Sequence, residues 1–457
     1  MDTRDWIGLS VIFYVAVAAA TAWYAFWVRR ASVFEPIGQY LAFVSLFALP
    51  LPVRALITMD IEGNVSPFLP EFAPYLPLAL VLTALAFPVF AVGYYSAFAR
   101  RLGERVPMLA DGGVRGTGWG AITLVVVSAL LIYLLTEEIG GLLEFLLLGY
   151  KSTEATFGRG YLAVGFPWLI VAMVLFLERY KIGGWWIDLL AFLALLGANL
   201  AIHIVTGNRA MLMYMAIVTV VFLNFRIRKL SLPWLVPVAL AGFVALNVIG
   251  ALRNSNYDSL GDFFEKSLTS AERVGVDDNE GLFYTLTIGE FVVPFETLPQ
   301  LIRTIGVTDW PWVGLTFLRA PVYLVPGAIY ADRPLALGNW YMERFYGGGH
   351  GLNEGRAFFF LAEGYLNFGP IGVAFVAAAW GLLWGALHRW MVLGRERFGT
   401  VLVYALLVGF MFRCIAGELT TLLVGTTQQS LAAVALVLLV ARLFGKKRVA
   451  HLRVDPA

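Results

Sequence analysis

The sequence predicts an all-α protein that crosses a membrane many times. Three observations carry this. The 457 residues are 60% hydrophobic and only 14% charged, outside the usual range of soluble globular chains. Eleven stretches are apolar for long enough to cross a hydrocarbon core, which takes about 20 helical residues. The charges between these stretches are sorted by side. With alternate connections assigned to opposite faces, one face holds 19 Lys/Arg against 7 Asp/Glu, and the other 14 against 24. The net charge of +2 averages these two unlike faces.

The spans are expected near 6–28, 37–58, 76–98, 117–136, 161–178, 183–204, 209–225, 233–252, 370–388, 400–418 and 427–444. The first follows MDTRDW, which lacks the basic start of a signal peptide, and ends at Arg29-Arg30. The later connections on that same side are the 99–116 loop with Arg100, Arg101 and Arg105, Arg179 to Lys181, Arg226 to Lys229, Arg389 to Arg397, and the tail from Lys446. All are basic, which makes this face cytoplasmic and places the N-terminus outside and the C-terminus inside.

The outer connections 59–75 and 137–160 are modest, whereas 253–369 is one very large outer segment. Within it, Gly281 to Ile305 is apolar around Glu290 and Glu296, and Trp310 to Tyr330 holds Arg319 among aromatic and aliphatic residues. Both runs are too polar or broken to span, yet apolar enough to lie on the bilayer or re-enter it. Without tandem repeats or a low-complexity linker, residues 1–457 read as a single membrane domain.

Several arginines stand where apolar helices begin or end on the outer side: Arg54, Arg209, Arg253, Arg319, Arg356 and Arg413. Arginine at a membrane boundary is costly and calls for a partner, so this set suggests an anionic ligand. Arg209 follows Thr206-Gly-Asn208, a tight turn whose Asn208 is suited to cap the next helix. A cation at a helix N-terminus opposes the dipole unless an anion joins it. The glycine-rich stretch Gly347 to Arg356 contains His350, the one outer-loop histidine, near Glu354. If helix continues from Arg356, then Phe360, Glu363 and Asn367 share its face; an internal Arg356–Glu363 pair is the competing structural reading. Arg413 stands five residues before Glu418, a poor pairing distance. Cys414 reads as a small core residue. Asp277-Asp278-Asn279-Glu280 reads as a solvated loop in preference to a cation site. No metal motif, P-loop, dinucleotide fingerprint or nucleic-acid face is present.

Two motifs resemble those of bacterial oligosaccharide repeat-unit polymerases, the O-antigen and exopolysaccharide polymerases of the Wzy type. Gly207-Asn-Arg-Ala-Met-Leu212 is similar to their small-polar-Arg-small pattern. Leu361 to Gly372, LAEGYLNFGPIG, is similar to their Glu-x-Tyr-x-Asn-Phe-Gly-x-x-Gly pattern and likewise follows a Gly-rich loop. Gly-Leu-Asn-Glu departs from the commoner Gly-Phe-Ser-like stretch at 351–354. The resemblance implies a GT-C-like helical fold in the bacterial inner membrane with its active site facing the periplasm. The partners it implies are undecaprenyl-pyrophosphate-linked glycans, with a flippase and a chain-length regulator as neighbours. It implies no metal or nucleotide cofactor. In that chemistry the arginines, with Asn367, hold the diphosphate and orient substrate, and His350 or Glu363 takes the acceptor proton. An O-antigen ligase needs the same groups. A lipid-linked oligosaccharide transporter is the rival of another class, though transporters place polar groups near the midplane and often show two related halves.

Overall fold

The computed structural model describes residues 2–58, 69–109, 113–156, 158–231, 292–325, 329–330, 332–347 and 356–444, with scattered positions between 233 and 266. Among these residues the protein is helical and contains no strand. Ten helices are long and apolar enough to span: α1 (Thr3–Val28), α2 (Pro36–Ile57), α3 (Ala73–Tyr95), then, after the short amphipathic α4 (Ala97–Arg105), α5 (Gly116–Ile139), α6 (Gly160–Gly183), α7 (Trp186–Val205) and α8 (Arg209–Ile227). Following the long segment that precedes residue 360 come α12 (Phe360–Leu393), α13 (Phe398–Ile415) and α14 (Leu419–Phe444). Three shorter helices precede α12: α9 (Val293–Thr304), α10 (Leu315–Leu324) and α11 (Leu337–Phe345). These ten match ten of the eleven predicted spans. The remaining one, 233–252, falls largely outside the described residues.

The sorting of connections also appears in space. Arg226 grips the fully buried Glu178 through Nη2 at 2.6 Å and Nε at 3.1 Å, and Nη1 reaches the Glu396 carbonyl at 2.9 Å. Lys181 donates to the Arg226 carbonyl at 2.7 Å. Arg389 meets Glu104 at 2.7 Å, and Arg29 lies 4.4 Å over the Tyr95 ring. Five of the six basic connections therefore gather at one end of the bundle; the tail from Lys446 is outside the described residues. At the other end Glu71 pairs with Arg303, Glu138 with Arg159 and Asp309 with Arg344.

One element departs from expectation and shapes the opposite end. The span predicted at 370–388 is the second part of α12, which breaks at Phe368 (φ −140°, ψ 18°) and Gly369 (φ 62°, ψ −148°). Asn-Phe-Gly-Pro dictates the break: Gly369 adopts a left-handed φ that side chains resist, and Pro370 removes an N–H from the ladder. Residues 360–367 then fold back against the descending helix. A Cβ at Gly372 would stand 1.9 Å from the Gly364 carbonyl, so only glycine permits this crossing. The Phe360 ring lies 5.2 Å from Trp380 and 6.0 Å from Tyr40. Trp380 is ten residues down the helix from Pro370, so Phe360 sits about 15 Å below the turn. The chain re-enters the bundle to that depth, sealed by the buried Phe358, Phe359 and Phe360. Backbone at membrane depth is stable here because protein surrounds it. Helix α9 packs beside it, with Phe295 on Phe359 and the Thr297 hydroxyl accepting the Phe359 N–H at 3.2 Å.

Candidate functional site

The site is built around the top of this re-entrant hairpin. The last carbonyls of the short helix, Leu366 and Asn367, accept the N–H groups of Trp312 and Val313, each at 3.1 Å. Val313 holds φ 49°, an outlier for a β-branched residue, and its committed N–H fixes it there. The Asn367 amide donates to the Thr316 hydroxyl at 2.7 Å and to the Glu363 carbonyl at 2.8 Å. Its oxygen accepts the Thr316 N–H at 3.4 Å. Asn367 is fully buried and serves as the bolt between the hairpin and α10, so every part of its amide is used within the protein.

Glu363, one turn below, is buried and accepts the Leu419 N–H at 2.7 Å through Oε2. Leu419 opens α14, and the residue before it, Glu418, is buried as well. Two carboxylates thus lie side by side, one from the hairpin and one from the turn between α13 and α14. Burial pushes the Glu418 carboxyl up to about 7, against the pull of backbone N–H groups of Glu418 itself and of Leu337.

Facing the acids is a cationic and aromatic rim. The first turn of α14 packs on the end of α10. Tyr323 there donates to the Pro334 carbonyl at 2.7 Å, tying α10 to the segment carrying Arg333. Arg333 lies 5.6 Å over the Tyr323 ring and Arg319 lies 5.9 Å over Trp312. Neither guanidinium forms a hydrogen bond or ion pair with any described residue. Burial raises the Tyr323 hydroxyl to about 12; Glu418 pushes it the same way, while Arg333 and Arg319 oppose. One tyrosine therefore senses both arginines and one of the acids. Leu318, Ile329 and Ile371 stand exposed on the surrounding surface, as lipid-facing residues do.

The other predicted residues are placed differently. Arg356 is not on the helix with Glu363: residues 356–359 are not helical, and α12 begins at Phe360. Its partner is Glu296 of α9, not Glu363. Nη2 donates to Oε2 at 2.9 Å, Nε lies 2.9 Å from Oε1, and the guanidinium stands 4.8 Å over Tyr346. Tyr346 and Tyr341 donate to the same Glu296 oxygen, at 2.7 Å and 3.4 Å. Burial raises the Glu296 carboxyl, opposed first by Arg356. Arg413 sits over Phe410 at 5.7 Å. Arg319, Arg356 and Arg413 thus lie over three different rings. Arg209 opens α8 as expected, with Asn208 Oδ1 capping the Met211 N–H at 3.2 Å. Arg54 is buried in the second half of α2. His350 and Arg253 lie outside the described residues, as do Glu354 and the acidic run 277–280.

Arg333 carries no weight in the sequence reading, although Asp332-Arg333-Pro334 is a charged interruption of an apolar stretch, the same signal that singles out Arg319. Among the described residues no three His, Cys, Asp or Glu side chains gather as a metal site. Comparison with family models, with curated proteins and with solved structures returns no match. The fold and the site define the protein as a polytopic all-α membrane protein with a buried acid pair beneath a cationic rim.

Proposed function

We propose that the chain is a glycosyltransferase that joins undecaprenyl-pyrophosphate-linked oligosaccharide repeat units at the periplasmic face of the bacterial inner membrane. The observation that carries this reading is that Arg319 and Arg333, which form no hydrogen bond or ion pair with a described residue, share Tyr323 as a neighbour with the buried Glu418, beside the buried Glu363 and next to exposed apolar residues. A lipid diphosphate needs all three. Its tail stays in the bilayer, its phosphates take charge-assisted hydrogen bonds from arginine, and the attacking hydroxyl needs a proton acceptor. The anomeric carbon is already activated by its leaving group, so charge stabilisation and orientation supply most of the remaining catalysis. The similarity of residues 361–372 to the polymerase motif supports the reading, since that stretch forms the hairpin that positions Glu363 and Asn367.

The test is reconstitution. Purified protein in liposomes is supplied with the lipid-linked glycan extracted from source cells lacking this chain. A ladder of products differing by one repeat unit is the expected result. Transfer of a single glycan only when lipid A core is added makes the protein a ligase. Movement of glycan across the bilayer with no new glycosidic bond makes it a transporter.

A further inference from the structure

Resting on that reading, we propose that Glu418 is the group that takes the proton from the acceptor hydroxyl, and that Glu363 positions it. Both buried acids accept backbone N–H groups, Glu363 from Leu419 and Glu418 from its own N–H and that of Leu337, but they face different elements. Glu363 spends Oε2 on the Leu419 N–H at 2.7 Å, and its own carbonyl is taken by Asn367 at 2.8 Å. That bond fixes the backbone immediately after Glu418 and sets the start of α14. Glu363 is thus built into the frame, at the centre of a chain of bonds running from Thr316 through Asn367 to Leu419. Glu418 lies at the other end of this chain, on the side of Tyr323 and the two arginines. The first turn of α14, which follows it, packs on the end of α10 that carries Tyr323.

The groups around Glu418 are Glu363 from the hairpin, Tyr323 and Arg319 from α10, and Arg333 from the segment before α11. Burial opposes the charged form of Glu418, while the backbone N–H groups of Glu418 and Leu337 favour it. A carboxyl balanced near neutrality is suited to accept a proton and release it again. In the step itself the acceptor oxygen bonds to the anomeric carbon as the bond from that carbon to the diphosphate oxygen breaks. The bonding pair leaves with the diphosphate, held by Arg319 and Arg333. The acceptor proton passes to the Glu418 carboxylate and then to water.

The experiment uses the reconstituted full chain and the extracted lipid-linked glycan, with rates measured from about pH 5 to 9 and binding of undecaprenyl diphosphate measured in parallel. The wild-type rate should rise through about pH 7, where Glu418 deprotonates. Glu418→Gln should lose about 100-fold or more at high pH and show a flat profile, with diphosphate binding retained, as removal of a general base requires. Glu363→Gln should lose less and keep the wild-type profile. Glu418→Asp should restore part of the rate with a displaced pH limb; if Glu418→Gln does not fold, this variant decides, and an unchanged limb overturns the assignment. A Glu418→Gln variant with wild-type rate and profile, or a Glu363→Gln variant that alone loses the limb, overturns it too. Wild-type protein that neither binds undecaprenyl diphosphate nor consumes the glycan lipid overturns the glycosyltransferase reading itself, which separates the two failures.

Discussion

The two ends of the bundle handle buried charge in opposite ways. At the basic end, Arg226 is saturated by Glu178 and the Glu396 carbonyl, Arg179 is held by Asp188 at 2.8 Å, and Arg389 is held by Glu104. Each of these contacts ties one helix terminus to another. At the opposite end Arg356 follows the same rule with Glu296, but Arg319 and Arg333 lie over aromatic rings instead, close to acids that bond to backbone. Paired charges hold helices together. Charges and acids placed near one another without pairing are available to a ligand. The difference teaches that position at a membrane boundary does not by itself mark a functional arginine; the partner it finds does.

The largest effect tests the paired end. Arg226→Ala leaves Glu178 buried without its cation, and a broken buried pair costs about 3–5 kcal/mol. A lower thermal midpoint in detergent is expected, with unchanged turnover per folded molecule. An unaltered midpoint would mean that the pair at the basic end is not structural. Next come Arg319→Ala and Arg333→Ala, whose guanidiniums lie over rings and form no hydrogen bond or ion pair with any described residue. Each should leave the midpoint in place while lowering transfer about 100-fold, equivalent to about 2.7 kcal/mol of barrier. If either behaves like Arg226→Ala, the distinction between the ends collapses.

A further effect comes from Glu418 and depends on pH. Its folded-state value of about 7 lies above the ordinary 4.5. The folded state therefore holds the proton more tightly than the unfolded one. Stability is highest below 4.5 and falls as pH rises towards 7. Glu418→Gln removes this loss, so melting at pH 8 should occur at higher temperature than wild type, and melting at pH 4 should not. Equal shifts at both values would show that the residue is not buried as an acid. The smallest effect belongs to the exposed Glu138–Arg159 pair: Glu138→Gln should change stability by less than about 1 kcal/mol, measured by the same melting curves.

Much of the architecture is legible in the sequence because the bilayer imposes a local rule. A span needs a continuous apolar run, and each connection declares its side by its own basic residues, so α1 to α3, α5 to α8 and α12 to α14 can be read without knowing what they pack against. The Asn208 cap is local for the same reason. The pairings are not. Arg356 and Glu363 look like partners in a continuous helix, yet residues 356–359 are not helical and α12 begins only at Phe360. The cation instead meets Glu296, sixty residues earlier in the chain. Arg333 carries no signal beyond its charge until Tyr323 is folded against it, and Glu418 looks like a neighbour of Arg413 until Leu419 docks on Glu363.

By itself the sequence determined an all-α, many-span protein with connections sorted by charge and a long segment between the eighth span and the next. Hydropathy, turn chemistry and loop charge act over a few residues or one bilayer thickness. Only the tertiary structure decided that residues 356–367 re-enter the bundle, that Arg356 is spent on Glu296, and that Glu363, Glu418, Arg319 and Arg333 gather at one place. Those outcomes depend on contacts between segments far apart in sequence. Which buried charge finds a partner is settled by the packing that desolvates it.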